Sequence, residues 1–200
     1  MDIQPLKIGG AYVVTPRQFP DGRGVFMEGF RGDKLAEHLG HRMDVVQSNI
    51  SVSSRGTVRG IHFADVPPSQ AKYITVLSGS IIDFIVDIRV GSPTFGQWES
   101  VVLDTSERKA VYLAEGLGHA FCALEEDSTA MYLCSAPYTP LREHGINPLD
   151  TTVGLTLPDD IEPLLSPKDE AAPSLAQAEA SGLLPRYDDC VRFYDSLRSA

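Results

Sequence analysis

The sequence predicts an all-β sandwich or barrel, and three observations lead there. Short stretches rich in β-branched and aromatic residues recur along the chain. Turn-forming clusters separate them at close intervals, as "PDGRG", "SSRG", "PPSQ", "LSGS", "RVGSPTFG", "AEGLG" and "APYTP". The clearest stretch, "IIDFIVDIRV", has the two-residue period of a strand. Ile82, Phe84, Val86, Ile88 and Val90 share one face, and Asp83, Asp87 and Arg89 share the other with Ile81 and Ile85. The first face reads as core and the second as partly polar.

Taken in order, the remaining elements are fewer. "GDKLAEHLG" near the N-terminus has helical spacing and a glycine stop. "GIHF" and "GHAFCAL" are strand-like, "GSPTFG" is a turn, and "LREHGIN" with His144 reads as loop. After "LSPKDEAAP" the pattern turns helical again: "SLAQAEASG" has a serine start and a glycine stop. "YDDCVRFYDSLRSA" spaces Tyr187, Val191, Tyr194 and Leu197 at helical intervals, which suits a cap on the β body. With no internal repeat, low-complexity segment or linker, we expect one domain over 1–200. Its β core covers about 10–165 and its helical cap about 170–200.

Composition narrows the function classes. A chain of 200 residues, 42% hydrophobic and 22% charged, can bury a real core. A formal charge of -10 disfavours a nonspecific nucleic-acid binder, whose affinity rests on basic residues. A small arginine cluster for one phosphorylated ligand stays compatible with it. Cys122, Cys134 and Cys190 are odd in number and lack CxxC spacing, so neither a disulfide framework nor a zinc knuckle is suggested. No signal peptide is evident, and no apolar run approaches the roughly 18 residues of a membrane span. The expected setting is soluble and cytoplasmic. GxSxG, GxGxxG and GxxxxGK[ST] are missing, which removes sequence support for serine hydrolases, Rossmann enzymes and P-loop NTPases.

Two histidines stand out. His38 and His41 flank a predicted helix end, where imidazole is favourable at the surface. His62 and His119 instead lie inside strand-like segments, where a titratable ring needs partners. Spacing alone leaves structural and functional roles equally open for both.

The segments "RGIHF", "PPSQAKY", "DFIVDIRVGSPTFGQW", "VYLAEGLGHAF", "YLCSAPYTPLREHGINPLD" and "LLSPKD", in this order, resemble the dTDP-4-dehydrorhamnose 3,5-epimerase family. The resemblance runs from "DGRGVFMEGF" to "SPKD", most of the chain. It implies a cupin-type jelly-roll β-barrel, a homodimer that exchanges N-terminal segments, no cofactor and no metal. The implied substrate is a dTDP-4-keto-6-deoxyhexose, epimerised at C3, C5 or both.

That chemistry suits the residues. C–H bonds beside a C4 ketone are acidified, so inversion needs a base on one face, an acid on the other and a group to hold the enolate. A histidine, with an ordinary pKa of about 6.5, is a good base near neutrality. By resemblance His62 is that base, and Asp169 the carboxylate that fixes its tautomer. Lys72 is the cation at the C4 oxygen, and Tyr132 the acid. Asp83 resembles a carboxylate near the base, while His119 resembles a site histidine of unassigned role. Arg59, Arg23 and Lys168 match ligand-binding positions, the arginines being suited to phosphate. Gln47, Asn49, Phe26, Glu28 and Tyr138 match other pocket positions.

One geometric conflict stands against this assignment. Arg59 and His62 have opposite parity and would face opposite sides of a regular strand. A bulge at Gly60, or a strand that only begins near Arg59, would remove the conflict.

Three rival readings remain. A mono-epimerase acting at C3 only or C5 only shares the same motifs. A metal cupin such as a dioxygenase draws on "AEGLGHAF", which resembles the second cupin motif with alanine at the usual proline. "GIHFAD", however, supplies one histidine where the first motif has HxH and a glutamate, so a facial triad is poorly provided. A noncatalytic sugar-binding jelly roll would not need both His62 and Tyr132.

Overall fold

In the computed structural model, residues 1–199 are described. The chain opens with β1 (Asp2–Pro5), β2 (Ala11–Thr15), the hairpin β3 (Gln18–Asp21) and β4 (Gly24–Met27), and helix α1 (Gly32–Leu39). β5 (Gln47–Ser53), β6 (Val58–Ala64), β7 (Lys72–Ser78) and β8 (Ser80–Val86) follow. Next come β9 (Trp98–Asp104), β10 (Ala110–Leu113), β11 (Gly118–Ala123), β12 (Ser128–Cys134) and the short β13 (Glu143–Gly145). Three helices come after them: α2 (Pro167–Glu170), α3 (Leu175–Ala180) and α4 (Tyr187–Arg198).

Two sheets face each other. One has the order β1-β2-β10-β7-β12-β5 and the other β13-β6-β11-β8-β9. From β5 to β8 and again from β9 to β13, each strand lies in the opposite sheet from the one before it. This alternation gives the jelly roll its back-and-forth connections. The barrel is therefore realised as two open, packed sheets and not as a closed ring. β1 adds an edge strand ahead of residue 10, where the β core was expected to begin.

Between the sheets, Ile74 and Val76 of β7, Val111 and Leu113 of β10 and Ala130 of β12 meet Ile81 and Ile85 of β8, Leu103 of β9 and Phe121 of β11. Each Val, Leu, Ile or Phe among them contributes about 1.5–3 kcal/mol of burial. The outer face of the five-stranded sheet is also covered. There Val58, Ile61, Phe63, Phe84, Val86 and Ala120 pack under Ile146, Val153, Ile161, Leu175, Ala178 and Leu184 from the C-terminal third. On the outer face of the six-stranded sheet, Val14, Tyr73, Ala110 and Tyr112 pack against Leu35 and Leu39 of α1, with Tyr194 of α4 beside them.

This double covering corrects one expectation. The faces of "IIDFIVDIRV" divide as read, with Phe84, Val86 and Ile88 in the outer cluster and Ile81 and Ile85 in the inner one. Both faces are buried, however, and the partly polar one looks into the sandwich, where Asp83 is fully buried. The strand also stops at Val86. Asp87 and Arg89 leave it to form a buried ion pair at 2.8 Å, and Ser92 and Thr94 each donate to Asp87 Oδ2 at 2.6 Å. Their role is to satisfy the turn at "GSPTFG", which is found as expected.

The helices follow their local signals. Gly40, at φ 77°, ends α1. Ser174 and Gln177 close a reciprocal capping box on α3. α4 is pinned by Tyr194, whose hydroxyl donates to the Glu115 backbone carbonyl, and by Tyr187, whose ring lies 5.1 Å from the Arg89 guanidinium. Cys122, Cys134 and Cys190 are buried free thiols.

Candidate active site

β6 carries the conflict between Arg59 and His62, and its pairing resolves it. On β11, His119 lies opposite His62 and Phe121 opposite Arg59, so three steps along β6 match two along β11. The extra residue is a bulge, and it lets Arg59 and His62 line one hollow. Gly60 sits there at φ 120°. A Cβ at this position would meet the His119 carbonyl oxygen and come within 2.8 Å of Ala120 Cα. Only glycine fits.

The hollow, of about 430 Å³, opens between the two sheets. A second, of about 320 Å³, adjoins it, and the two share His62, Lys72, Tyr132 and Lys168. The six-stranded sheet supplies Lys72 from β7, Tyr132 from β12, and Gln47 and Asn49 from β5. From the five-stranded sheet come Arg59, His62 and His119, and from α2 Lys168 and Asp169. Tyr138 lines the second hollow from the loop after β12, and its backbone amide donates to the Gln47 side chain at 2.9 Å. The interior of the sandwich is thus apolar at one end and polar at the other.

His62 Nε2 lies 2.6 Å from Asp169 Oδ1. Asp169 is only 5% exposed, and Ser166 Oγ donates to its other oxygen at 2.9 Å. Burial opposes ionisation of this carboxyl. The His62 hydrogen bond and charge, with smaller help from Ser166 and the Gly60 amide, outweigh that and hold its pKa below the ordinary value. An ionised Asp169 can only accept, so Nε2–H donates to it, and in the neutral ring Nδ1 carries the lone pair of a base.

Asp83 lies near the base, as expected, but it is fully buried and lines neither hollow. It bonds the other histidine of the site: its Oδ2 lies 2.6 Å from His119 Nε2, and His119 stands opposite His62. Its register position on β8, opposite Phe121 of β11, brings it beneath the neighbouring histidine. The site therefore holds two histidine–carboxylate pairs side by side. Burial lowers the Lys72 pKa, and the thiol of Cys134 and the carboxylates of Glu143 and Asp83 oppose the drop. Burial raises the Tyr132 pKa, while Arg59 acts the other way, so the phenol keeps its proton at neutral pH.

Three expected pocket residues are not brought here. Arg23, Phe26 and Glu28 lie on or just after the hairpin β3–β4, whose strands pair only with each other. Arg23 binds Asp21, Glu28 binds Arg31, and Phe26 is 68% exposed. Conversely, sequence reading missed Glu143, Gln70 and His144, all lining the second hollow. Glu143 and His144 sit on β13, a strand read as loop, which pairs with β6 so that Gly145 faces His62. His144 Nε2 bonds Asp65 at 2.7 Å. A three-residue strand carries too little periodicity to be seen in advance.

Among the described residues, no helix is long and apolar enough to cross a membrane, and no group of three or more His, Cys, Asp or Glu is arranged to hold a metal ion. A family model described as dTDP-4-dehydrorhamnose 3,5-epimerase matches residues 5–177. A dTDP-4-dehydrorhamnose 3,5-epimerase of Mycolicibacterium smegmatis is 53% identical over 99% of this chain and 98% of its own. A dTDP-4-dehydro-6-deoxyglucose 3-epimerase of Streptomyces bikiniensis is 51% identical over 92% of this chain and 94% of its own. The solved structure of ChmJ, a 3'-monoepimerase from Streptomyces bikiniensis in complex with dTDP-quinovose, superposes with a TM-score of 0.97. It is 49% identical and covers 98% of this chain and 100% of its own. Sequence match over the full length and shared backbone agree: the chain belongs to the dTDP-4-dehydrorhamnose 3,5-epimerase family of sugar-nucleotide epimerases.

Proposed function

We propose that this epimerase acts on a dTDP-4-keto-6-deoxyhexose, inverting C3, C5 or both by proton abstraction beside the C4 ketone. The observation that carries the reading is the hydrogen-bonded pair of His62 and Asp169 opening into the same hollow as Lys72 and Tyr132. His62 removes the proton. Asp169 holds the ring and stabilises the imidazolium that forms. The Lys72 ammonium offsets charge developing on the C4 oxygen, and the protonated Tyr132 phenol returns a proton from the other face. Arg59 and Lys168, at the rim of the hollow, supply the positive charge a pyrophosphate needs in a chain of net charge -10. Each step uses protein side chains, with no cofactor required.

Relatives named as 3,5-epimerase and as 3-epimerase are 53% and 51% identical to the chain, so identity does not choose between double and single inversion. Incubation with dTDP-4-keto-6-deoxyglucose in deuterated water settles the number of centres. Label at both C3 and C5 with inversion at both supports the 3,5-epimerase, and label at one carbon the mono-epimerase. Absence of exchange, or exchange unaffected by His62→Ala, overturns the reading.

We infer further that the protein works in the cytoplasm as a homodimer whose β3–β4 hairpin reaches the partner's cleft. The unpaired hairpin exposes Phe26, and edge strand β5 exposes Ile50 (63%) and Val52 (58%) next to the cleft residues Gln47 and Asn49. An apolar, unpaired edge of this kind calls for a cover.

A further inference from the structure

We propose that Ser166 is a positioning residue of this site: its hydroxyl holds Asp169 in the orientation that presents Oδ1 to His62. The inference rests on the reading of His62 as the base, and it assigns a role to a residue outside the four that handle protons and charge.

The Ser166 hydroxyl makes two bonds to a single residue. Its oxygen accepts from the Asp169 backbone amide at 3.1 Å, which caps α2, and its hydrogen goes to Asp169 Oδ2 at 2.9 Å. An N-cap needs only the acceptor. Here the donor is used as well, and it fixes the carboxylate relative to its own backbone. Ser166 then serves Oδ2 and His62 serves Oδ1, with the Gly60 amide adding a weaker bond to the same carboxylate.

The serine is itself held in place relative to β6. Leu164 accepts from the Val58 amide and donates to the Gly56 carbonyl, both at 2.9 Å, which ties the segment before Ser166 to the start of the strand that bears His62. Pro167 follows at the first helical position, where its fixed φ suits the turn. The distance from Ser166 to His62 is thus set by backbone hydrogen bonds on one side and a one-turn helix on the other. Ser166 is solvent-exposed at the hollow while Asp169 is buried, so water can reach the vacated place if the hydroxyl is removed. Water would restore part of the charge stabilisation without the fixed direction.

Capping and positioning can be separated by substitution, because glycine is nearly as good an N-cap as serine while alanine is poor. Ser166→Gly keeps the helix start and loses the donor. Ser166→Ala loses both, and Ser166→Thr keeps both. With dTDP-4-keto-6-deoxyglucose as probe, positioning predicts that Gly and Ala lower kcat alike, by about tenfold, the order expected for one hydrogen bond to a charged group. KM should change by less than about twofold. The acid limb of the kcat/KM profile, which reports protonation of the base His62, should move to higher pH in both, since an Asp169 carboxylate with one donor fewer holds the imidazolium more strongly. Threonine should restore rate and profile. Wild-type behaviour of Gly with an impaired Ala would make Ser166 a cap only, and an unmoved acid limb in both, or failure of Thr to rescue, would likewise overturn the proposal. Asp169→Asn and His62→Ala run in parallel keep the two readings apart. If those variants exchange solvent deuterium normally, the base assignment itself fails, whereas their loss beside unaffected Ser166 variants refutes the serine alone.

Discussion

Replacing Tyr132 by phenylalanine separates abstraction from return of the proton. The ring packs at the edge of the inner cluster formed by Ile74, Ala130 and Phe121, and phenylalanine keeps those contacts. Only the hydroxyl is lost, from a half-buried position on the cleft, so stability should change by no more than about 1 kcal/mol. The catalytic effect is larger. Burial raises the phenol's pKa, so at neutral pH the group is fully protonated and able to act as an acid. A positioned general acid contributes roughly 10² to 10⁴ in rate, or about 3–5 kcal/mol of barrier. His62, Asp169 and Lys72 remain in Tyr132→Phe, so abstraction continues. The enolate is then reprotonated by the imidazolium it came from, with retention, or slowly by water from the far side. Deuterium incorporation at C5 followed by mass spectrometry, with stereochemistry by NMR on the same sample, should show exchange outrunning inversion. Equal losses of both would mean that Tyr132 also helps to form the enolate. Unchanged inversion would mean that the acid is another group.

Four further outcomes are expected. Gly60→Ala places a Cβ against β11 at φ 120°, which combines backbone strain with overpacking and should cost about 2–5 kcal/mol in a denaturant titration; a loss under about 1 kcal/mol would show that the bulge adapts freely. Asp87→Asn should cost about 3–5 kcal/mol at neutral pH, because it strands the buried Arg89 charge. Burial opposes the Asp87 charge, but bonds from Arg89, Ser92 and Thr94 leave its folded pKa below the unfolded value. Its stabilisation is therefore complete above the unfolded pKa of about 4 and is lost only as pH falls through the lower folded value. A wild-type protein that loses this contribution already between pH 7 and 5, judged against Asp87→Asn across pH, would contradict the assignment. Mixing Arg23→Ala with His62→Ala subunits should restore about a quarter of wild-type activity after random exchange, since half the dimers are mixed and one site in two is whole; a fully active monomer by sedimentation would exclude sites completed in trans. Activity should survive exhaustive dialysis against chelator, and recovery that depends on one divalent metal would sink the proposed mechanism.

Local physics explains what was legible in the sequence. Turn clusters and a two-residue period are short-range signals, so "IIDFIVDIRV" disclosed its two faces and "SLAQAEASG" its cap. Glycine's conformational freedom likewise made a bulge at Gly60 foreseeable from the parity of Arg59 and His62. Residue chemistry, with the family resemblance, named His62, Lys72, Tyr132 and Asp169, which the fold brings to one hollow although His62 and Asp169 stand 107 residues apart. Periodicity does not say what covers a face. That Asp83 lies inside the sandwich beneath His119, that Asp87 and Arg89 leave the strand to form a buried pair, and that β13 carries Glu143 into the cleft were decided by strand register and sheet packing. These depend on contacts between distant segments, and the free energy of such contacts belongs to the assembled sheets and to no single stretch of chain.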